Sequence, residues 1–137
     1  MKKLMPGINI QWPWSELLLE GKKTIETRSY PLPKRLENVE MAIIETPGPK
    51  GKSKAGIKSA RVIGTITFRT SKQYTSQKAW LADQKKHLVN PNDPQFKYTA
   101  NKEKWAWYVN KITILPKPIA PPKKRGIIYA RPFSLDL

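Results

Sequence analysis

Apolar and polar residues alternate along several short stretches of the chain, a pattern typical of half-buried β-strands. Residues 7–12 show it first, and longer apolar runs rich in β-branched or aromatic side chains follow at residues 39–46, 61–69 and 105–115. Such side chains favour extended backbone. We therefore predict strands at these four places and a last strand at residues 127–131.

Two other stretches have the three-to-four-residue spacing of an amphipathic helix. Pro13 suits the first helical position of residues 14–20, because the N–H that proline lacks would be unpaired there. Ser76 is a favourable N-cap for a second helix from residue 77 to about residue 88. The side chains expected to face inward from this second helix are Trp80, Leu81 and Leu88.

The expected fold class follows from strands joined by turns, with few helices. The chain has 13 prolines and seven glycines, which favour turns between strands over a helical bundle. Its 137 residues are the size of one domain, so we predict a single domain over residues 1–137. The prediction is an α+β fold, mainly β: a small β-barrel with two or three short helices at its openings.

Two segments of this domain have the composition of irregular structure. Residues 47–59 are rich in Pro, Gly and Lys and contain too few apolar residues to pack, so we predict a flexible basic loop. Residues 116–126 are rich in Pro and Lys, which predicts an extended, polyproline-like segment followed by a basic turn.

The charge balance narrows the classes of partner. Lys and Arg total 26 against 10 Asp and Glu, a net charge of +16, and such a field attracts polyanions. A highly soluble surface and a membrane-binding surface are alternatives, but aromatic residues interleaved with the cations favour nucleic acid. The absence of cysteine excludes disulfides and thiolate metal sites.

Nothing in the sequence indicates a membrane protein. No run approaches the ~20 apolar residues that a transmembrane helix needs. The basic residues near the N-terminus are followed by Pro6, Gly7 and Asn9, which interrupt the apolar stretch of a signal peptide. We expect a soluble, cytoplasmic protein.

The densest chemistry follows the first predicted helix, in residues 21–28. Gly21 suits the position after a helix end, because glycine readily takes the left-handed conformation. A strand is predicted from Thr24 to about Tyr30, and successive side chains of a strand point to opposite faces. One face would carry Thr24, Glu26 and Arg28, and the other would carry Lys23, Ile25 and Thr27. The carboxylate and the guanidinium on one face can pair with each other or together hold a polar ligand.

These residues resemble the signature of the ASCH-domain family, part of the PUA-like superfamily of small RNA-associated β-barrels. The signature G-x-K-x-x-E-x-R is filled at all four positions, by Gly21, Lys23, Glu26 and Arg28. Residues 11–14, 64–66 and 105–109 also resemble segments of the family, so the resemblance spans most of the chain. It implies a β-barrel with a cleft beside the motif.

The resemblance also implies a link to RNA, with three alternative activities. Some family members cleave RNA; here Lys23 and Arg28 would stabilise charge on the phosphorane oxygens while Glu26 assists proton transfer, so these three are the catalytic candidates for a ribonuclease-type hydrolase. A small branch removes acyl groups from modified cytidine with a threonine nucleophile, but this chain has Glu26 there. That branch's further glutamate would correspond to Glu45 or Glu103. The third alternative is a non-catalytic RNA reader in translation or RNA processing, so catalysis itself stays open.

Further residues around the motif are candidates for contacting RNA. Trp12 and Trp14 lie beside the first helix and are the best placed for stacking on a base. The remaining candidates are Lys22, Ser29, Tyr30, Lys34 and Arg35. The other tryptophans, Trp80, Trp105 and Trp107, are expected in the core or in a cleft wall.

No cofactor is predicted. His87, the only histidine, lies on a Lys-rich helix and is expected at the surface, with a catalytic His–Lys pair as the lesser alternative. No side chains have metal-ligand spacing, so no metal site is predicted, and a divalent metal bound together with substrate is left open. The expected partner is RNA, single-stranded or as a nucleotide-containing substrate, with no membrane and no obligate protein partner.

Overall fold

The computed structural model describes residues 2–137, which form six strands and four short α-helices. The strands are β1 (Lys2–Gln11), β2 (Ile25–Arg28), β3 (Met41–Thr46), β4 (Arg61–Gln73), β5 (Trp105–Ile119) and β6 (Tyr129–Asp136). The helices are α1 (Trp14–Leu19), α2 (Gly48–Lys54), α3 (Gln77–Ala82) and α4 (Gln84–His87), and a 3₁₀ turn is formed by Lys34–Leu36. The predicted α+β class, mainly β, is confirmed. No helix in this described part of the chain has the length and apolar character needed to cross a bilayer.

All six strands belong to one sheet, in the order β2-β5-β4-β3-β1-β6. β1 and β3 are parallel, and the other neighbours are antiparallel. The two edges, β2 and β6, do not pair, so the sheet is open and the predicted closed barrel was wrong. β2 has four residues and is too short a strand to close the sheet into a barrel. Instead Arg28 reaches across the gap, where its Nη2 donates to the carbonyl oxygen of Asn9 in β1 at 2.8 Å.

The first helix ends as the sequence predicts. Gly21 has a φ of 77°, in the left-handed region. Its N–H donates to the carbonyl oxygen of Leu18 at 3.1 Å. The next N–H, of Lys22, donates to the carbonyl oxygen of Leu17 at 3.0 Å. This pair of bonds is the Schellman motif, which satisfies the last carbonyls of a helix and turns the chain towards β2.

Gly64 lets α1 lie close against the sheet. A Cβ atom at this position would lie 2.5 Å from the carbonyl oxygen of Thr113 in β5 and 2.6 Å from Cδ1 of Leu19 in α1. Both distances are far below van der Waals contact, and the first involves backbone that is held in the sheet. Only glycine fits here without displacing a strand.

Gly64→Ala is therefore expected to lower the free energy of unfolding by about 1–3 kcal/mol, the usual cost of overpacking a close contact. Urea unfolding followed by tryptophan fluorescence measures this difference. Ser59→Ala, at an exposed position just before β4, serves as the control and should leave the midpoint nearly unchanged. An unfolding midpoint for Gly64→Ala equal to that of the wild type would contradict the close approach.

Residues 47–59 contain a helix that their composition does not predict. We expected a flexible loop, but Gly48–Lys54 form α2. The N–H of Gly51 donates to the carbonyl oxygen of Pro47 at 2.9 Å, and the N–H of Ile57 donates back to Gly51 at 3.1 Å. Ile57 is buried, so a single apolar side chain anchors this basic segment.

The helix predicted over residues 77–88 is divided into α3 and α4, which raises the number of helices above the two or three expected. Ser76 caps the first as predicted, because its Oγ accepts a hydrogen bond from the N–H three residues on, at 3.1 Å. Trp80 is buried as predicted, whereas Leu81 is 41% exposed, contrary to its predicted inward orientation. The break between α3 and α4 prevents one continuous helical face from forming.

The Pro-rich segment at residues 116–126 is extended at its start, as predicted. β5 continues through it to Ile119, which pairs with Val62 of β4. β6 then begins at Tyr129 and runs to Asp136. It is longer than the predicted last strand because it pairs with β1 along most of that strand's length.

The core has two clusters that bear on the functional site. The larger lies beneath α1 and the 3₁₀ turn and includes Ile8, Ile10, Leu18, Leu36, Met41, Ile43, Phe68 and Trp107. A smaller one packs α3 and α4 against β2 and β5, and it includes Ile25, Tyr74, Trp80, Val89 and Ala106. The predicted core or wall positions of Trp80, Trp105 and Trp107 are confirmed. The charged residues of the motif lie where these two clusters meet.

Candidate functional site

Three charged side chains of the motif meet at the start of β2. Nζ of Lys23 lies 3.6 Å from Oε1 of Glu26. Oε2 of the same carboxylate accepts a hydrogen bond from Nε of Arg28 at 3.1 Å and lies 2.9 Å from Nη2 in a salt bridge. The prediction that Lys23 lies on the opposite face was wrong, because it precedes β2 and the alternation of a strand does not apply to it.

Arg28 is held by partners on several sides. Besides Glu26 and the Asn9 carbonyl, its Nη1 donates to Oη of Tyr30 at 3.1 Å. The guanidinium carbon lies 5.7 Å from the centre of the Trp107 ring, within cation–π range. Burial alone would lower the pKa of Arg28, but the Glu26 carboxylate and Tyr30 raise it above its ordinary value. Arg28 is therefore a permanent, oriented positive charge.

Lys23 is the most deeply buried cation of the site. Its side chain is 0% exposed, and Nζ donates a hydrogen bond to the carbonyl oxygen of His87. Burial lowers the pKa of this ammonium to about 8, although the neighbouring Glu26 opposes the shift. The group therefore holds a proton at neutral pH and can release it slightly above, which suits either anion binding or proton transfer.

These three residues form part of the wall of a cleft of about 640 Å³. Of the sequence-predicted site residues, the cleft brings together Trp14, Lys23, Glu26, Arg28, Ser29 and Tyr30. The cleft is large enough for a ligand of nucleotide size. Among residues 2–137, no three His, Asp or Glu side chains are grouped so as to hold a metal ion.

Another part of the cleft lining comes from residues 94–104, the segment between α4 and β5, of which the sequence analysis named only Glu103. Phe96 in this segment packs edge-on against Trp14, with ring centres 4.7 Å apart. Nζ of Lys104 donates to the carbonyl oxygen of Phe96 at 2.6 Å and so fixes the segment. Lys97 and Lys102 also line the cleft. The sequence signal that could have indicated this part of the site is the mixture of aromatic and basic residues in the segment, which also occurs around the motif.

Four predicted RNA-contacting residues do not line the cleft. Trp12 lies on the other side of α1, where its Nε1 donates to Oε2 of Glu16 at 2.7 Å. Lys22 is exposed and lies 3.4 Å from Glu20. The other two, Lys34 and Arg35, are exposed in the 3₁₀ turn.

The two candidate glutamates of the acyl-removing branch have different surroundings. Glu103 lines the cleft, and its Oε1 accepts a hydrogen bond from Nε1 of Trp105 at 3.2 Å. Glu45 is buried outside the cleft and accepts hydrogen bonds from Ser15 and Arg61. Only Glu103 is in a position to face a ligand in the cleft.

His87 is buried, so its predicted surface position was wrong. Its ring stacks on Trp80, with centres 4.7 Å apart and planes at 16°. Nε2 lies 2.8 Å from the carbonyl oxygen of Trp80, and Nδ1 accepts a hydrogen bond from the N–H of Val89 at 3.0 Å. Burial lowers its pKa. Since Lys23 contacts the His87 backbone and not its ring, the pair lacks the contact that a catalytic His–Lys pair requires.

The chain belongs to the ASCH-domain family, whose ASCH domain matches residues 8–118. The predicted family is thus confirmed. The fold is similar to that of a crystal structure of ASCH from Zymomonas mobilis, with a TM-score of 0.63 and 18% sequence identity over 84% of this chain and 72% of that chain.

Two variants of that Zymomonas mobilis protein are also similar in fold. A serine-to-alanine mutant has a TM-score of 0.62 and 19% identity over 84% of this chain and 72% of that chain. A tyrosine-to-phenylalanine mutant has a TM-score of 0.62 and 18% identity over 85% of this chain and 76% of that chain. No curated protein matches the chain.

Proposed function

We propose that this ASCH-domain protein binds single-stranded RNA and holds one nucleotide in the cleft. The observation that carries the proposal is the composition of the cleft lining. It includes the buried cations Lys23 and Arg28 and the aromatic pair of Phe96 and Trp14. Cations beside aromatic rings suit a nucleotide, because the cations can bind its phosphate and the rings can stack on its base.

The charge of the cleft supports a polyanionic ligand. Its cationic side chains are Lys23, Arg28, Lys97, Lys102 and Lys104, against the carboxylates of Glu26 and Glu103. The whole chain has a net charge of +16, so long-range attraction would bring RNA to the surface before the cleft engages it. Arg28 presents planar donors suited to a phosphate.

Removing cleft cations should weaken RNA binding and its dependence on salt. For Lys97→Gln with Lys102→Gln, the log–log salt slope should fall by up to about 1.4, since each single-strand phosphate contact contributes ~0.7. Fluorescence anisotropy of a labelled RNA between about 50 and 200 mM salt measures it. The control is Lys2→Gln with Lys111→Gln, which removes the same charge from outside the cleft. An affinity that does not change with salt would overturn the proposal.

RNA cleavage is a second candidate function, favoured by one observation: the pKa of Lys23 is lowered to about 8 beside Glu26. In this reaction the 2′-hydroxyl oxygen would bond to phosphorus and the bond to the 5′-oxygen would break. Oε1 of Glu26 would take the hydroxyl proton, and the Lys23 ammonium would give a proton to the leaving oxygen. Arg28 would stabilise the phosphorane charge. Removal of acyl groups is not proposed, because Glu26 supplies no hydroxyl nucleophile.

Cleavage by Lys23 as an acid has a definite pH dependence. The rate should fall as the pH rises through about 8, where the ammonium loses its proton. Loss of labelled RNA with time, followed by gel, measures the rate for the wild type, Lys23→Met and Glu26→Gln. Equal cleavage by all three proteins would assign the activity to a contaminant or to another site. That result would leave the proposal of RNA binding unchanged.

A further inference from the structure

A second cavity, of about 470 Å³, lies on the other side of α1 from the cleft. α1 and the turn before it separate the two: Trp14 lines the cleft, whereas Trp12 lines the second cavity. The proposed function makes no use of this second cavity. Its wall combines an aromatic ring, apolar side chains and an ion pair.

Hydrogen bonds fix the position of the ion pair between Glu45 and Arg61 at the second cavity. The side chain of Glu45 is 3% exposed, and its two oxygens accept hydrogen bonds from Oγ of Ser15 at 2.7 Å and from Nε of Arg61 at 2.9 Å. Arg61 itself is 43% exposed. Its terminal nitrogens form no hydrogen bond with another residue in the range 2–137. A guanidinium held at Nε, with its outer donors available, is suited to receive a phosphate.

The aromatic and apolar part of the cavity is suited to a flat ring. Trp12 is half-buried, and the hydrogen bond from its Nε1 to Glu16 fixes the orientation of the indole. Ile57, Leu115 and Pro118 are among the apolar residues that line the cavity. A nucleobase stacks on such a surface without sequence preference, because every base has a π-face.

α2 brings further positive charge to the same place. Gly51 of α2 lies directly against Trp12, since a Cβ at Gly51 would be 3.4 Å from Cβ of the tryptophan. The helix carries Lys50, Lys52 and Lys54, which are exposed and form no ion pair with any residue in the described range. Unpaired lysines on a helix that packs against an aromatic side chain are typical of a single-strand binding surface.

We propose that the second cavity binds a second nucleotide of the same RNA strand, with the base on Trp12 and the phosphates on Arg61 and the lysines of α2. This inference rests on the proposed function of the cleft. Trp12 and Trp14 are two residues apart, so their Cα atoms are at most about 7 Å apart. That distance is short enough for successive nucleotides of one strand to lie on either side of the turn. One strand can therefore pass over the start of α1 and occupy both cavities.

The test compares two ligand lengths by fluorescence anisotropy. The shorter ligand is a single labelled nucleotide, which fills the cleft alone, whereas an RNA of about 12 nucleotides reaches both cavities, within the site size of a small binding domain. In the wild type the longer ligand should bind more tightly. Trp12→Ala should reduce the ratio of the affinity for the RNA to that for the single nucleotide by about 10-fold, the effect of one lost stacking contact. A ratio equal to that of the wild type would overturn the second site.

A surface variant keeps the test valid if Trp12→Ala does not fold. Changing the three α2 lysines to glutamine should lower the salt slope for the longer ligand by up to about 2, and it should leave the slope for the single nucleotide unchanged. The matched control changes Lys2, Lys111 and Arg131, which line neither cavity, to glutamine. If the control lowers the slope as much, diffuse charge explains the effect and the inference is wrong. Failure of both ligands to bind the wild type would instead overturn the function of the cleft, and this inference with it.

Discussion

Replacing Glu26 with glutamine is expected to lower the free energy of unfolding by about 3–5 kcal/mol, the usual cost of removing one partner of a buried ion pair. The carboxylate is the only acidic group that contacts the two cations of the site among residues 2–137, and the Lys23 side chain is 0% exposed. Without the carboxylate, an ammonium and a guanidinium remain buried close together. Urea unfolding at about neutral pH measures the loss.

The pH dependence separates this mechanism from a general packing defect. Burial lowers the pKa of Lys23 from 10.5 to about 8, so between these values the unfolded chain binds a proton that the folded protein has released. Stability from this group therefore rises as the pH increases from about 8 to 10.5. In Glu26→Gln the favourable neighbour is gone, the pKa of Lys23 falls further, and the rise begins at a lower pH.

Glu103→Gln is the matched control, because it removes a carboxylate from the same cleft at an exposed position. Its unfolding free energy should stay close to that of the wild type at every pH. If Glu26→Gln were as stable as this control, the charged cluster would contribute little to folding, and the account of the site would be wrong.

Acidification is expected to destabilise the protein through His87. Its ring is fully buried, and burial lowers its pKa below the ordinary 6.5. Below pH 6.5 the unfolded chain binds a proton that the folded ring does not, so stability is complete above this pH and is lost as the pH falls towards the folded pKa. The slope over that window should approach about 1.4 kcal/mol per pH unit.

The surroundings of His87 explain why it resists protonation. Burial disfavours a positive charge there most strongly, and Lys23 and Lys104 add to this effect on the pKa. The Trp80 carbonyl and Asp83 favour the charge to a smaller extent. His87→Gln, which stays neutral at all pH values, is the comparison. Its stability should fall less steeply with acid than that of the wild type, as measured by urea unfolding at several pH values. Identical slopes in the two proteins would assign the acid sensitivity to other groups.

The motif could be predicted in detail because its determinants are local. Gly21 ends the helix through bonds to residues within one turn, and Glu26 and Arg28 meet because they are two positions apart on one strand. Lys23 was assigned to the wrong face for an equally local reason. The strand begins after it, and strand boundaries depend on which backbone groups find partners in β5.

The rest of the site depends on contacts between distant parts of the chain. Phe96 reaches Trp14 only because residues 94–104 line the same cleft, and no periodicity in that segment indicates this. His87 is buried because α4 packs its ring on Trp80. The open sheet also follows from long-range pairing, since strand composition predicts strands but not whether the first and last ones meet. These features require the assembled fold.

The contacts of Arg28 connect β2 to β1, so the spacing of these two strands depends on one side chain. Along the rest of the sheet, backbone ladders hold neighbouring strands, and a ladder is indifferent to side-chain identity. At this gap the spacing is set by a planar group whose nitrogens bond Glu26, Tyr30 and the Asn9 carbonyl in three directions. Lysine has the same charge but a single terminal nitrogen, which cannot span that arrangement. Arg28, which is proposed to contact a ligand, therefore also sets the distance between β1 and β2.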